Sequence, residues 1–301
     1  MNFKNKNGLW GSLAALVANM IFGFSFLFSK VALSAAHPLI ILAVRFTTAF
    51  LVLNILWLFG IVKLNFHGKN IKRLILMSFA QPLLYFIFEL YGINATSSAI
   101  SGVIISLVPI AVIILSGGFL KEKATAKQIV CSAVSLICVS VISIVSSDGN
   151  RSSVLGIILL LLAVICAAVF NILSRNLSGE FSPFERTYMM FLVGVVGFNS
   201  VAFLGLREGF IPELIAAATN MQFWGAIAYL SVLSSIAAFM LYNYATSNIS
   251  TVCAASFSNI ITVVSLIAGM VFLKEKLSVI EIICCLLIIL GVFGVNAKTR
   301  K

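Results

Sequence analysis

The five residues Phe119–Lys123 read FLKEK, and Phe272–Lys276 read FLKEK again, 153 residues further on. Each copy closes a long apolar run, and each is followed within two positions by a small polar residue, Thr125 or Ser278. At the same offset Tyr91 falls on Tyr244, Ser97 on Ser250 and Phe86 on Phe239. The register holds without gaps up to Lys123, which marks an internal repeat.

Composition sets the solvent in which this repeat folds. The chain is 61% hydrophobic and only 10% charged. Soluble proteins average roughly 45–50% apolar and about 25% charged residues. No soluble fold hides this much apolar surface, so lipid is the expected surrounding. A bilayer core takes about 20 apolar residues per helix. Ten such runs follow one another, at about 9–32, 39–60, 73–92, 95–118, 127–146, 154–176, 186–207, 222–244, 249–273 and 279–297. Turn and helix-start signals separate them, among them His37-Pro38, Gly68-Lys69-Asn70, Ser147-Asp148-Gly149-Asn150, Ser182-Pro183 and Ile211-Pro212. Backbone groups inside lipid must be satisfied within the segment, so each run is expected to be a helix.

Net charge is +11. The cations lie in short clusters between runs and form no long basic stripe, which argues against nucleic-acid binding. With the N-terminus inside, 14 Lys and Arg residues fall on the cytoplasmic side and five outside, with Arg45 within the second run. Both termini are then cytoplasmic, and the chain is a multi-pass protein of the cell membrane. Five helices per half is an odd number, so the halves, residues 1–147 and 148–301, are expected to cross in opposite senses. The first helices of the halves match at an offset of 145, through Gly11/Gly156, Ser29/Ser174, Lys30/Arg175 and Pro38/Pro183. Inverted repeats of this kind signal a transporter whose solute site lies near the midplane between the halves.

With these residues in view, the whole chain resembles the drug/metabolite transporter superfamily, EamA type. The resemblance rests on Gly23-Phe24-Ser25-Phe26 with Lys30, on Arg45, and on Tyr91–Ala99 leading to Pro109 and Phe119–Glu122. Tyr244–Ala254 and Phe272–Glu275 repeat the latter stretches. It implies an all-α membrane protein of ten transmembrane helices in two inverted five-helix repeats. It also implies a secondary active transporter, in particular an exporter of metabolites such as amino acids, working by alternating access around a midplane cavity. A passive facilitator and a non-transporting membrane sensor stand as alternatives. The chain departs from the pattern at Thr262, where the repeat predicts a second proline, and at Phe22, where a tryptophan is common.

Polar groups within lipid are costly, and an ionisable one is a functional candidate by default. Glu89 lies near the outer end of the third run. It could carry a proton, pair with a substrate amine, or serve as a structural partner to another helix or to Arg45. Gln81, Tyr85 and Glu89 share one face of the third helix, at i, i+4, i+8 spacing. Asn19, Asn171, Tyr242, Asn243 and Asn259 complete the candidate substrate-binding set. Tyr242 is the repeat partner of Glu89. Each of these side chains would equally serve a helix–helix hydrogen bond worth about 1 kcal/mol. The resemblance implies a structural clamp at Arg45, where the family repeats an arginine; snorkelling to the headgroups and contact with substrate are the other readings. Pro109 frees a backbone carbonyl and permits a bend or a gate. Glu122 and Glu275 suit local ion pairs with their neighbouring lysines.

Other chemistries find no residues to carry them. The six cysteines lie within apolar runs and form no CxxC pair or Cys/His cluster, so no metal is expected. His37 and His67 lie in loops. No HExxH, GxSxG or GxxxxGK[ST] occurs. No catalytic residue and no cofactor are expected. The expected partners are a small-molecule substrate and the lipid bilayer; the sequence leaves monomer and homodimer both open.

Overall fold

The structure, a computed structural model, describes residues 6–95, 104–105, 107–120, 124–145, 153–272 and 278–296. Among these residues all regular structure is helical. The helices are α1 (Lys6–Leu33), α2 (Pro38–Leu58), α3 (Ile71–Ser78), α4 (Tyr85–Asn94), α5 (Val108–Phe119), α6 (Ala126–Val145), α7 (Val154–Leu177) and α8 (Pro183–Leu206). They continue as α9 (Phe210–Ala218), α10 (Met221–Ala228), α11 (Ala238–Asn248), α12 (Thr251–Ser256), α13 (Asn259–Phe272) and α14 (Val279–Asn296).

Seven of the segments are long and apolar enough to cross a membrane. Three shorter apolar helices, at Val108–Phe119, Ala126–Ile142 and Val279–Val295, fall on the fourth, fifth and tenth runs. The outward faces carry residues such as Leu51, Ile114, Val154, Leu290 and Phe293, each more than half exposed. In water these would be a large unfavourable surface, whereas lipid accepts them.

Start signals fall at the expected breaks. His37 accepts a hydrogen bond from the Leu39 N–H, with Pro38 at the first helical position of α2. Ser182 and Glu185 close a capping box on α8, with Pro183 again at the first position. Ser153 caps α7 and Ser250 caps α12.

The structure corrects the regular-helix reading in four places. The third run is interrupted by a π-helical stretch, Phe79–Leu84, in which Gln81 is fully extended (φ −147°, ψ 124°). Pro82 follows it; a proline lacks the N–H and clashes with the preceding turn, so a regular helix fails there. The eighth run carries its own π-helical stretch, Tyr229–Ala237. The ninth breaks at Phe257–Ser258, between α12 and α13. The connection around Ile211-Pro212, expected to be a turn, contains a 3₁₀ turn (Arg207–Gly209) and α9.

Packing pairs the helices across the chain. α2 lies against α8, and α6 against α14. α1 packs on α11 and α13, while α7 receives α4 and α5. The largest apolar cluster is aromatic at its centre, built on Phe46, Phe170, Phe191, Phe198 and Phe239. Phe46 stacks on Phe191 at 5.1 Å between centroids, and Phe239 meets Phe22 edge-on at 5.1 Å. These phenylalanines fill the middle of the bundle.

Candidate functional site

Downstream of the Pro82 interruption, α4 resumes regular winding, and that regularity brings Tyr85 and Glu89 together one turn apart. The Tyr85 hydroxyl donates to Glu89 Oε1 at 2.8 Å, and both side chains are half-buried. Gln81 does not share their face by helical spacing, because its extended backbone breaks the i, i+4 relation. Tyr85 packs against a cluster that includes Val164, Ala167 and Ala168 of α7 and Ala255 of α12. Asn171 lies one turn further along α7, and its Nδ2 donates to the Ala167 carbonyl at 2.8 Å. On the far side of Asn171, the Tyr242 hydroxyl of α11 donates to its Oδ1 at 2.7 Å. Two phenol-centred pairs, Tyr85–Glu89 and Tyr242–Asn171, thus flank the middle of α7.

Arg45 does not reach toward headgroups. It is 6% exposed. Its Nε donates to Ser235 Oγ at 2.8 Å and its Nη2 to Ser234 Oγ at 3.2 Å, both in the π-helical stretch of the eighth run. The guanidinium carbon lies 5.5 Å from the Phe86 ring centre and 5.7 Å from that of Phe46. Aromatic faces stabilise a desolvated cation at such distances. One buried cation therefore joins α2, the aromatic centre and the eighth run.

The remaining candidates are dispersed. Asn19 is buried in α1 and donates to the Ala15 carbonyl at 2.7 Å. Asn259 is buried at the start of α13, close along the chain to Ala255. Pro109 sits at the start of α5, two residues after a turn at Leu107. The lysines and glutamates of both FLKEK stretches, Ser101, Gly102 and Ser106 lie outside the described residues.

Asn243 belongs to a different cluster, and that cluster has a centre the sequence reading missed. Arg186, in the first turn of α8, is 0% exposed. Its Nη1 donates to the Ser174 carbonyl (2.6 Å), Ser174 Oγ (2.7 Å) and Thr246 Oγ1 (3.2 Å). Its Nη2 donates to the Asn243 carbonyl and to Ser247 Oγ. Asn243 Nδ2 in turn donates to Thr187 Oγ1 at 3.0 Å. Arg175 adds bonds to the Thr246 and Ser247 carbonyls at 3.0 and 2.8 Å. Two guanidinium groups thus satisfy the carbonyls at the end of α11, where a helix leaves acceptors unpaired and its dipole favours a cation. Arg186 is one of the 14 cations that the charge count places on the cytoplasmic side. The signal available in the sequence was its place three residues after Pro183, already inside a helix.

Comparison with known proteins adds an independent line. The sequence pattern of the EamA-like transporter family matches residues 9–144 and, a second time, residues 154–297. The protein named "Uncharacterized transporter YcxC" of Bacillus subtilis (strain 168) is 33% identical over 291 residues, covering 96% of this chain and 93% of its own. A "Probable terminal-alkyne amino-acid exporter" of Streptantibioticus cattleyicolor is 23% identical over 199 residues, covering 66% of this chain and 64% of its own. A crystal structure at 15% identity superposes with a TM-score of 0.76, over 94% of this chain and 95% of that one, and so shares the fold.

Proposed function

The chain belongs to the EamA-like transporter family, and from that premise we propose that it is a secondary active transporter that exports small zwitterionic or neutral amphipathic metabolites such as amino acids. The observation that carries this reading is the Tyr85–Glu89 pair, a single half-buried carboxylate held at 2.8 Å inside a helical bundle. An unneeded carboxylate in lipid is expensive, so one that persists there points to a task. Tyr242 of α11 and Asn171 of α7 offer a phenol and an amide, groups suited to a zwitterion's polar end, while the aromatic cluster suits an apolar side chain. Asn19, Gln81, Asn243 and Asn259 complete the proposed substrate contacts. The name borne by the Streptantibioticus relative agrees with an amino-acid class of solute.

In this reading ten helices form two inverted units meeting at residues 147–148, in the cell membrane, with both termini cytoplasmic. Packing supports it. The first run lies on the eighth and ninth, and the sixth lies on the third and fourth, which is the same relation with the halves exchanged. The π-helical stretch Phe79–Leu84 falls on residues 232–237 at the repeat offset, inside the second such stretch. The halves rock about the midplane to expose the solute site alternately. Arg45 clamps, Pro109 bends, and Glu89 couples export to a proton gradient.

The test is flux in proteoliposomes loaded with mixed amino acids under an imposed pH gradient. Glu89→Gln should abolish the dependence on that gradient while leaving a slow downhill flux. A pH dependence identical to that of the unsubstituted protein removes Glu89 from coupling. Downhill flux without accumulation in the unsubstituted protein identifies a passive facilitator, and no flux of any solute identifies a sensor.

A further inference from the structure

One part of the molecule does no work in the solute site, yet it ties the first matched segment to the second. The loop after α2 folds over the connection between α7 and α8. Lys69 Nζ lies 2.9 Å from Glu185 Oε1 and 3.0 Å from Oε2, and the Glu185 side chain is only 4% exposed. The Asn65 N–H donates to the same carboxylate at 2.8 Å, and the Asn70 N–H donates to Glu180 Oε1 at 2.6 Å. Lys69 also sits 5.1 Å from the Phe181 ring centre. Beneath lie Leu74 and Met77 of α3, both 0% exposed, in one cluster with Leu177, Phe181 and Phe184.

We propose that the Lys69–Glu185 ion pair, with the Asn65 and Asn70 backbone bonds, is a latch that holds this end of the transporter shut. Every one of these bonds runs between residues 65–70 and residues 180–185. None can survive a separation of α3 from α8. The pair is partly shielded, which makes it stronger than a surface ion pair, and the low exposure of Glu185 makes its uncompensated state costly. The capping box supplies the rigidity, because the Ser182 N–H also donates to Glu185 Oε2, at 2.7 Å, and so aims the carboxylate. The structure is therefore the state closed at the end where α2 finishes and α8 begins. By the charge bias this is the cytoplasmic end, so release of the latch is the step that opens the site inward. The latch rests on the alternating-access reading only for what its opening serves.

A cysteine probe tests the latch without any knowledge of the solute. Ser78 is 0% exposed, lies on α3 behind the latch, and its Oγ bonds back to the Leu74 carbonyl at 2.9 Å. Ser78→Cys is placed in the full chain with its six native cysteines replaced, in nanodiscs, and its reaction with a membrane-impermeant maleimide is timed. Ser231→Cys, also buried, serves as reference; sixteen residues before Ser247, it lies about 24 Å along the eighth run from this end. Lys69→Met, which leaves the capping box intact, and Glu185→Gln should each speed labelling of Ser78→Cys about tenfold, by shifting the population of open molecules. Labelling of Ser231→Cys should stay as it was. An unchanged rate at Ser78→Cys overturns the latch, and so does an equal rise at both probes, which would report general loosening. Neither result depends on transport, so a failed flux assay and a failed latch remain separate findings.

Discussion

Arg186 donates five hydrogen bonds to two neighbouring helices. Its fork reaches two main-chain carbonyls and three side-chain oxygens from α7 and α11. All these acceptors are neutral, so the cation is held by hydrogen bonds and by the end of a helix dipole, with no ion pair of its own among the described residues. Hydrogen bonds to a charged group each contribute about 1.5–3 kcal/mol. Arg186→Met should therefore lower stability by roughly 2–4 kcal/mol, leaving the Ser174 and Asn243 carbonyls without this donor. Arg186→Lys should recover less than half of that loss, because a compact ammonium cannot span the acceptors a planar fork spans. Thermal unfolding in detergent checks both, and a lysine variant as stable as the parent would show that charge alone matters. The same residue shows a limit of sequence reading. A cation at the edge of an apolar run looks like a headgroup anchor, and only the packing of α7 and α11 decides that it turns inward. Tyr85 and Glu89 were legible together because four residues of regular helix separate them. Gln81 was not, because periodicity assumes the winding that Pro82 interrupts.

At the scale of elements, the apolar runs located the helices, and prolines or serines with the right spacing located their starts. The π-helical stretches were illegible, since they depend on what docks against them. Arg45 docks on one, through Ser234 and Ser235. Ser235→Ala should cost about 1.5–3 kcal/mol by removing the 2.8 Å bond to a buried cation. An alanine variant with unaltered unfolding temperature would mean that the other serine and the rings suffice. A tighter contact joins α1 to α13. A Cβ built on Gly23 would lie 2.5 Å from Val264 Cβ and 3.1 Å from the Ile261 carbonyl oxygen, so only glycine allows the two helices this approach. Gly23→Ala should destabilise by about 1–3 kcal/mol, and Val264→Ala should partly rescue it. Additive losses in the double variant, read by the same melting assay, would refute the contact.

For the whole molecule, the repeat in the sequence pairs helices between the halves but does not say which of them touch. Contact between the matched segments is a matter of shape, set by small residues and rings that single-sequence patterns do not order. The α6–α14 pair offers a check. Cys138 of α6 and Cys284 of α14 are free, buried thiols that pack in one apolar cluster. If a protease site is placed after residue 147, the two fragments should stay associated in detergent after cleavage. Copper-phenanthroline should then join them through Cys138 and Cys284, giving a band of full-length mass that reductant abolishes. Fragments that separate before oxidation would contradict the extent of this packing.

Arg186 also has a history that its final place conceals. Lysines and arginines orient a membrane chain while it is being inserted, when each run is still a separate helix meeting water and headgroups. In the proposed orientation Arg186 counts at that moment toward retention of its end of α8. Once α7 and α11 close around it, no solvent reaches it. The same guanidinium is thus read twice, first as a signal to the insertion machinery and later as a rivet between assembled helices. The order cannot be reversed, because a rivet set before insertion would be invisible to the machinery. Biogenesis of this fold must therefore thread α8 before it packs α11.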